Sequence, residues 1–169
     1  MKEYTSGHRF GSRSKEILET CHIDLKLIHN TAISQCPVDY GLHAGERTIE
    51  EQQKYFDEGA SRINPKSYPS EEDLAKVAKH ITIPGHPDYD KSRATDHHIS
   101  TKYGDKPLTW NEIHLAFTAG YLIRVSHELY SSGKVKHILR WGGDWDSDGV
   151  IGLDQTLQDM PHLELIKVE

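Results

Sequence analysis

The alternating run that closes the chain, His162-Leu-Glu-Leu-Ile-Lys-Val168, restricts the fold more than any other feature. Successive side chains of a strand point to opposite faces, so the run reads as a strand with Leu163 and Leu165 on one face. Asp159 stands three residues before His162. Neutral imidazole is a common zinc ligand, and a nearby carboxylate that does not ligate can take a proton from water at the metal. An Asp-x-x-His pair therefore suits metal-assisted hydrolysis. Alone, such a pair more often marks a turn aspartate beside a half-buried histidine, so its chemistry needs partners elsewhere in the chain.

The length of 169 residues and 36% hydrophobic content fit a single domain spanning 1–169 that can bury a core. A net charge of -6 with both signs scattered leaves no basic stripe for a phosphate backbone, so nucleic acid is not expected as a partner. Cys21 and Cys36 belong to no Cys-x-x-Cys pair, which predicts two reduced, structural thiols. The start of the chain has no apolar signal core and no run is long enough for a bilayer. Synthesis in the cytoplasm, no membrane insertion and a monomer are expected.

Residues 1–13 form a polar N-terminal segment. Ser12 or Ser14 caps a helix expected over 14–35, through Ile17, Leu18, Cys21, Leu25 and Ile28, until Cys36-Pro37 stops it. Val38–Leu42 alternates as a short strand and leads to Gly45-Glu-Arg47-Thr48. Thr48 and Glu51 make a capping box for a helix over 50–58, placing Arg47 at a strand-to-helix corner. The composition of 60–91 shifts to Pro, Ser, Asp and Lys, as in a surface insertion, with one short helix at 71–79 capped by Ser70. It carries His80 and His86 and returns through Arg93-Ala-Thr-Asp96-His97-His98, where metal binding becomes plausible. Thr109 and Glu112 read as a second capping box, opening a helix to about 131 with Ile113, Phe117, Leu122 and Val125 as its core face. Nothing in that helix converges on His114 or His127, which are expected to be solvated or satisfied histidines and not ligands. Val135–Trp141 reads as a strand.

Four features recur in order: Gly45-x-Arg47-Thr48, Lys79-His80 with Ser92-Arg-Ala-x-Asp96, Trp141-Gly-Gly-Asp-Trp145, and Asp159-x-Pro-His162-x-Glu-Leu165. Together they resemble the zinc D-alanyl-D-alanine carboxypeptidase and L-alanyl-D-glutamate peptidase family, especially its phage endolysins, over roughly residues 35–166. The resemblance implies that His162 and Asp96 hold zinc, that Asp159 is the base, and that Arg47 holds substrate or the developing oxyanion. It also implies a first histidine. No compact His-x-x-Gly-x-Ala-x-Asp is present; His80 is the choice because Lys79-His80-Ile-Thr matches the family's opening, with His86 second and His97 and His98 behind them. The latter two are adjacent, so a strand beginning at Asp96 would send them to opposite faces. Two imidazoles and one carboxylate leave zinc a fourth position for water, whose pKa the metal can lower toward about 7.

Asp144, Asp146 and Asp148, followed by Gly149, have the opening spacing of a calcium loop. Gln155 stands where a bidentate Glu is expected, and Asp154 beside it could compensate. Calcium is thus a second candidate ion.

The expected fold is α+β: a small antiparallel sheet carrying the zinc site, packed against the two longer helices. The expected function is cleavage of the peptidoglycan stem peptide at its L-alanyl-D-glutamate bond by a phage endolysin that reaches the wall through a holin. The alternatives are a D-alanyl-D-alanine carboxypeptidase of wall metabolism and a catalytically silent metal-binding or wall-binding module.

Overall fold

A computed structural model of the chain describes residues 5–168. Four strands form one antiparallel sheet: β1 (Tyr40–Ala44), β2 (Ala94–Ile99), β6 (His162–Ile166) and β5 (Ile138–Trp141), side by side in the order β1-β2-β6-β5. Strands β3 (Lys102–Tyr103) and β4 (Lys106–Pro107) make a separate small hairpin. β6 is central and buried on both sides. Leu163 and Leu165 enter the main core, while His162 and Glu164, also buried, occupy the opposite face. In register, Asp96 lies opposite both Ala44 of β1 and His162 of β6, which puts the acid-bearing and histidine-bearing positions side by side.

The sequence predicts one helix over 14–35, whereas the chain forms two, α1 (Ser12–Glu19) and α2 (Ile23–Ile33). The break is local chemistry: Thr20 Oγ1 turns back to the Ile17 carbonyl, and the ring of His22 accepts from the Asp24 N–H as an N-cap. Cys21, between them, donates to the Ile17 carbonyl; it and Cys36 are buried and unpaired. Helix α3 (Ile49–Asp57) has the anticipated capping box of Thr48 and Glu51.

The second expected capping box is not formed. Helix α5 (Glu112–Ser131) is capped by Asn111, whose side chain accepts from the His114 N–H, and Thr109 lies outside the helix. Its core face also differs from expectation. Leu115, Ala119, Leu122, Val125 and Leu129 are buried, while Ile113 and Phe117 are 78% and 51% exposed. A helix entering at Asn111 instead of Thr109 turns the Leu115–Leu122 stripe toward β2 and β5 and the Ile113–Phe117 stripe to solvent. β5 begins at Ile138 instead of Val135, because Lys136 and His137 bond the Asp24 carboxylate instead of a neighbouring strand.

The 60–91 segment holds a 3-10 turn at Pro65–Ser67 and helix α4 (Glu71–Val77). It is more than a surface loop, because Leu74, Ala75, Ala78 and Ile81 form a second small core joined by Ile49, Ile63 and Tyr89. A single parallel bridge, Arg47 with Ile81, fixes this unit to the end of β1. Among the described residues, no helix is long and apolar enough to cross a membrane.

Candidate metal centre

Three segments distant in sequence converge over the β2–β6 pair. His80 arrives from the insertion, Asp96 from β2 and His162 from the start of β6. His80 Nε2 lies 3.2 Å from Asp96 Oδ1 and 3.2 Å from His162 Nδ1, and His162 Nδ1 is 3.1 Å from Asp96 Oδ1. Such a triangle of two imidazole nitrogens and a carboxylate oxygen fits a small divalent cation bound about 2.0–2.2 Å from each donor. His86 is elsewhere, stacked on Tyr89. His97 is fully buried, its ring between the carbonyls of Pro161 and Leu115, and His98 sits on the opposite side of β2. His114 bonds its own cap residue Asn111 and His127 is exposed.

Each imidazole is oriented by a second partner, which settles which nitrogen is free to ligate. The Nδ1 of His80 is held by the Gly45 carbonyl, leaving Nε2 for the centre. A Cβ at Gly45 would lie 2.9 Å from both Ile17 Cγ2 and Thr20 Oγ1, so glycine lets this carbonyl approach while α1 packs behind it. His162 Nε2 is 3.2 Å from Glu164 Oε2, leaving Nδ1 for the centre. Glu164 is in turn held by Arg140, whose Nε donates at 3.1 Å.

The electrostatics follow from burial of this network. Burial opposes charge on Asp96, yet His80 and His162 hold its carboxyl well below the usual range. Burial would lower His162, but its bonds to Asp96 and Glu164 prevail and raise it to about 9. Asp159 behaves oppositely: burial and the nearby Asp96 charge push its carboxyl up.

Asp159 lines the same cleft of roughly 500 Å³ as the trio. Its backbone N–H donates to Gly142 at 2.9 Å, and its carbonyl accepts from His162 N–H at 3.0 Å, so residues 159–162 form a tight turn against β5. Arg47 also faces the cleft, with a terminal nitrogen 3.7 Å from Asp96 Oδ2. Its other terminal nitrogen donates to Gln52 at 2.9 Å, and its guanidinium lies over Tyr55. Gln52 is itself fixed by Ser61 and the Ile63 carbonyl. Trp145 leans on the His162 ring with 5.3 Å between centroids.

Glu164, Gln52 and the Gly45 carbonyl escaped the sequence reading. Glu164 was within the quoted His162-x-Glu-Leu165 motif; two-residue alternation from His162 was the available signal, since it puts both on one face. Gln52 reads as an ordinary helix-surface residue until the insertion folds over it.

The aspartates of the 144–149 loop divide. Asp144, Asp146 and Asp148 each bring a carboxylate oxygen within 4.8 Å of the others, and Asp144 accepts the N–H groups of Asp148 and Gly149. Asp154 stands outside that trio; the Gln155 amide bonds both it and Asp146.

Comparison with known proteins places this architecture. The crystal structure of Serratia marcescens L-Ala D-Glu endopeptidase ChiX superposes with a TM-score of 0.62 at 21% identity, covering 94% of this chain and 91% of that one, which establishes a shared fold. The vancomycin resistance D,D-pentapeptidase VanY, determined in complex with Zn(II), matches over 97% of this chain and 76% of its own, but at 16% identity and a TM-score of 0.37 the likeness is too loose to argue from. No curated protein sequence matches the chain. The profile described as phage L-alanyl-D-glutamate peptidase, however, matches residues 6–166, spanning every element from α1 to β6. The chain is therefore a member of the phage L-alanyl-D-glutamate peptidase family.

Proposed function

We propose that His80, Asp96 and His162 hold zinc, and that the protein is a phage endolysin cutting the L-alanyl-D-glutamate bond of the peptidoglycan stem. The observation that carries this reading is the convergence of those donors, 3.1–3.2 Å apart, within a cleft that also contains Asp159 and Arg47. Two nitrogens and one oxygen suit zinc and leave a position for water. Zinc bound there supplies a Lewis acid that makes water deprotonable near neutrality. The Asp159 carboxylate accepts the proton of the attacking water and returns it to the leaving amine of D-glutamate. Its raised pKa suits a group that must hold a proton between those two steps. The Arg47 guanidinium, held by Gln52, is oriented to stabilise the oxyanion on the L-alanine carbonyl. Trp145 and residues of the insertion form walls of the cleft around the site.

In the same reading, synthesis occurs in the host cytoplasm, a holin gives the monomer access to the wall, and a calcium ion on Asp144, Asp146 and Asp148 orders the loop preceding Asp159. The test is mass spectrometry of purified peptidoglycan digested by the metal-analysed protein, with and without a chelator. New termini between L-alanine and D-glutamate, lost on chelation and restored by zinc, are expected. Release of terminal D-alanine alone would move the protein to the carboxypeptidase class; bound zinc without cleavage would make it a silent module.

A further inference from the structure

The cleft has two chemically different ends. Toward β5 cations outnumber carboxylates in its lining: Lys79 and Arg140 stand beside Glu164, and Arg62 reaches across to the Thr156 carbonyl at 2.6 Å. Toward β1, at the opposite edge of the sheet, the cleft ends at His43. The His43 ring meets the exposed indole of Trp110 edge-on with 5.2 Å between centroids, and His98 flanks the same indole at 6.4 Å. Trp110 is 51% exposed, yet its backbone is fixed: Ile99 N–H donates to the Thr109 carbonyl at 3.1 Å, tying the segment to the end of β2. An exposed aromatic face therefore adjoins the cleft at His43.

A stem peptide is asymmetric in a matching way. Beyond the scissile bond lie D-glutamate and further carboxylates, whereas the L-alanine is joined through its nitrogen to the lactyl group of an uncharged muramyl sugar, one link from the bond cut. Carboxylates favour the cationic end, and the C–H face of a pyranose favours an aromatic ring. Resting on the proposed peptidase reading, we infer that Trp110 and His43 form a subsite for the muramyl sugar, so that substrate lies across the sheet with its glycan end over β1 and its peptide end over β5.

The test compares kcat/KM of the zinc-loaded protein on an N-acetylmuramyl tripeptide and on the same tripeptide lacking the sugar. The wild-type protein should prefer the muramyl substrate, and Trp110→Ala should lower that preference about tenfold, the scale of one aromatic contact, while Trp110→Phe retains most of it. An unfolded fraction lowers both rates equally and cancels in the ratio. An unchanged ratio in Trp110→Ala, or no preference in the wild type, overturns the subsite and leaves the peptidase reading intact. A concentration-dependent dimer abolished by Trp110→Ala in sedimentation would assign the face to a second copy of the chain instead. Failure of the wild type to cleave either substrate would remove the peptidase reading, and the subsite with it.

Discussion

Glu164 Oε2 lies 3.2 Å from His162 Nε2, so one strand supplies both an imidazole to the centre and, two residues on, the carboxylate that sets its tautomer. Such outer partners commonly contribute about 10–100-fold to metal affinity. Glu164→Gln, which keeps the shape and removes the charge, should weaken zinc binding by that order in a chelator competition while the thermal transition stays cooperative. Unaltered affinity would limit Glu164 to its pairing with Arg140.

Asp159 and His162 differ in the readout they should move. Asp159→Ala is expected to retain one zinc per chain and lose turnover by about 100-fold or more, as for a proton-transfer group. His162→Ala should lose metal and turnover together. Full zinc content in the His162 variant would strike it from the ligand set.

Gly142 packs so closely on the turn before β6 that a Cβ there would lie 2.4 Å from the Asp159 carbonyl oxygen and 3.0 Å from its Cβ. Gly142→Ala must push that turn away, at a cost of about 1–3 kcal/mol. A lowered melting temperature is expected, with a fall in kcat larger than the loss of folded protein explains, because the displaced segment carries Asp159. Wild-type kcat would show that the turn gives way without moving the carboxylate.

His29 is fully buried between Thr95 and Tyr40, and burial depresses its pKa to about 3. Below the ordinary value near 6.5 the unfolded chain takes up a proton that the folded chain refuses, so the stability from the neutral ring is complete above about pH 6.5. It is lost as pH falls toward 3, by up to about 1.4 kcal/mol per pH unit. Denaturant midpoints of the metal-free protein at pH 7 and pH 5 should differ accordingly, and His29→Leu should flatten the difference while lowering stability at both. An equally steep dependence in the variant would assign acid sensitivity to other groups.

Ile113 and Leu122 share α5 but not an environment, being 78% and 0% exposed. Ile113→Gln should change stability by less than about 0.5 kcal/mol and Leu122→Ala should cost about 2–5 kcal/mol, measured by urea unfolding. Equal effects would mean that the exposed stripe is packed in solution.

The α+β class, the antiparallel sheet and the strand at His162 were legible because alternation and capping are local. Where two local signals competed, the sequence misled. Thr109 with Glu112 and Asn111 with His114 both spell helix starts, and the pairing of Thr109 with β2 decides between them, placing Ile113 and Phe117 outside. The division of 14–35 turns on His22 serving as a cap, a role that needs a ring orientation no spacing encodes. At the site, the order of motifs put His80, Asp96 and His162 forward, while Gln52 and the Gly45 carbonyl acquire their contacts only when the insertion docks. The small core around Leu74 and Ile81 was hidden by a polar composition that its few apolar residues do not offset.

That docking has a mechanical meaning. His80 and His162 stand 82 residues apart in sequence, the first next to Ile81 of the small core and the second next to Leu163 of the main one. An ion gripped by both would cross-link the chain much as a disulfide does, restricting the unfolded ensemble across a long loop. Stripping the ion would then release the insertion before the sheet, and amide exchange in α4 would accelerate while β2 and β6 remained protected.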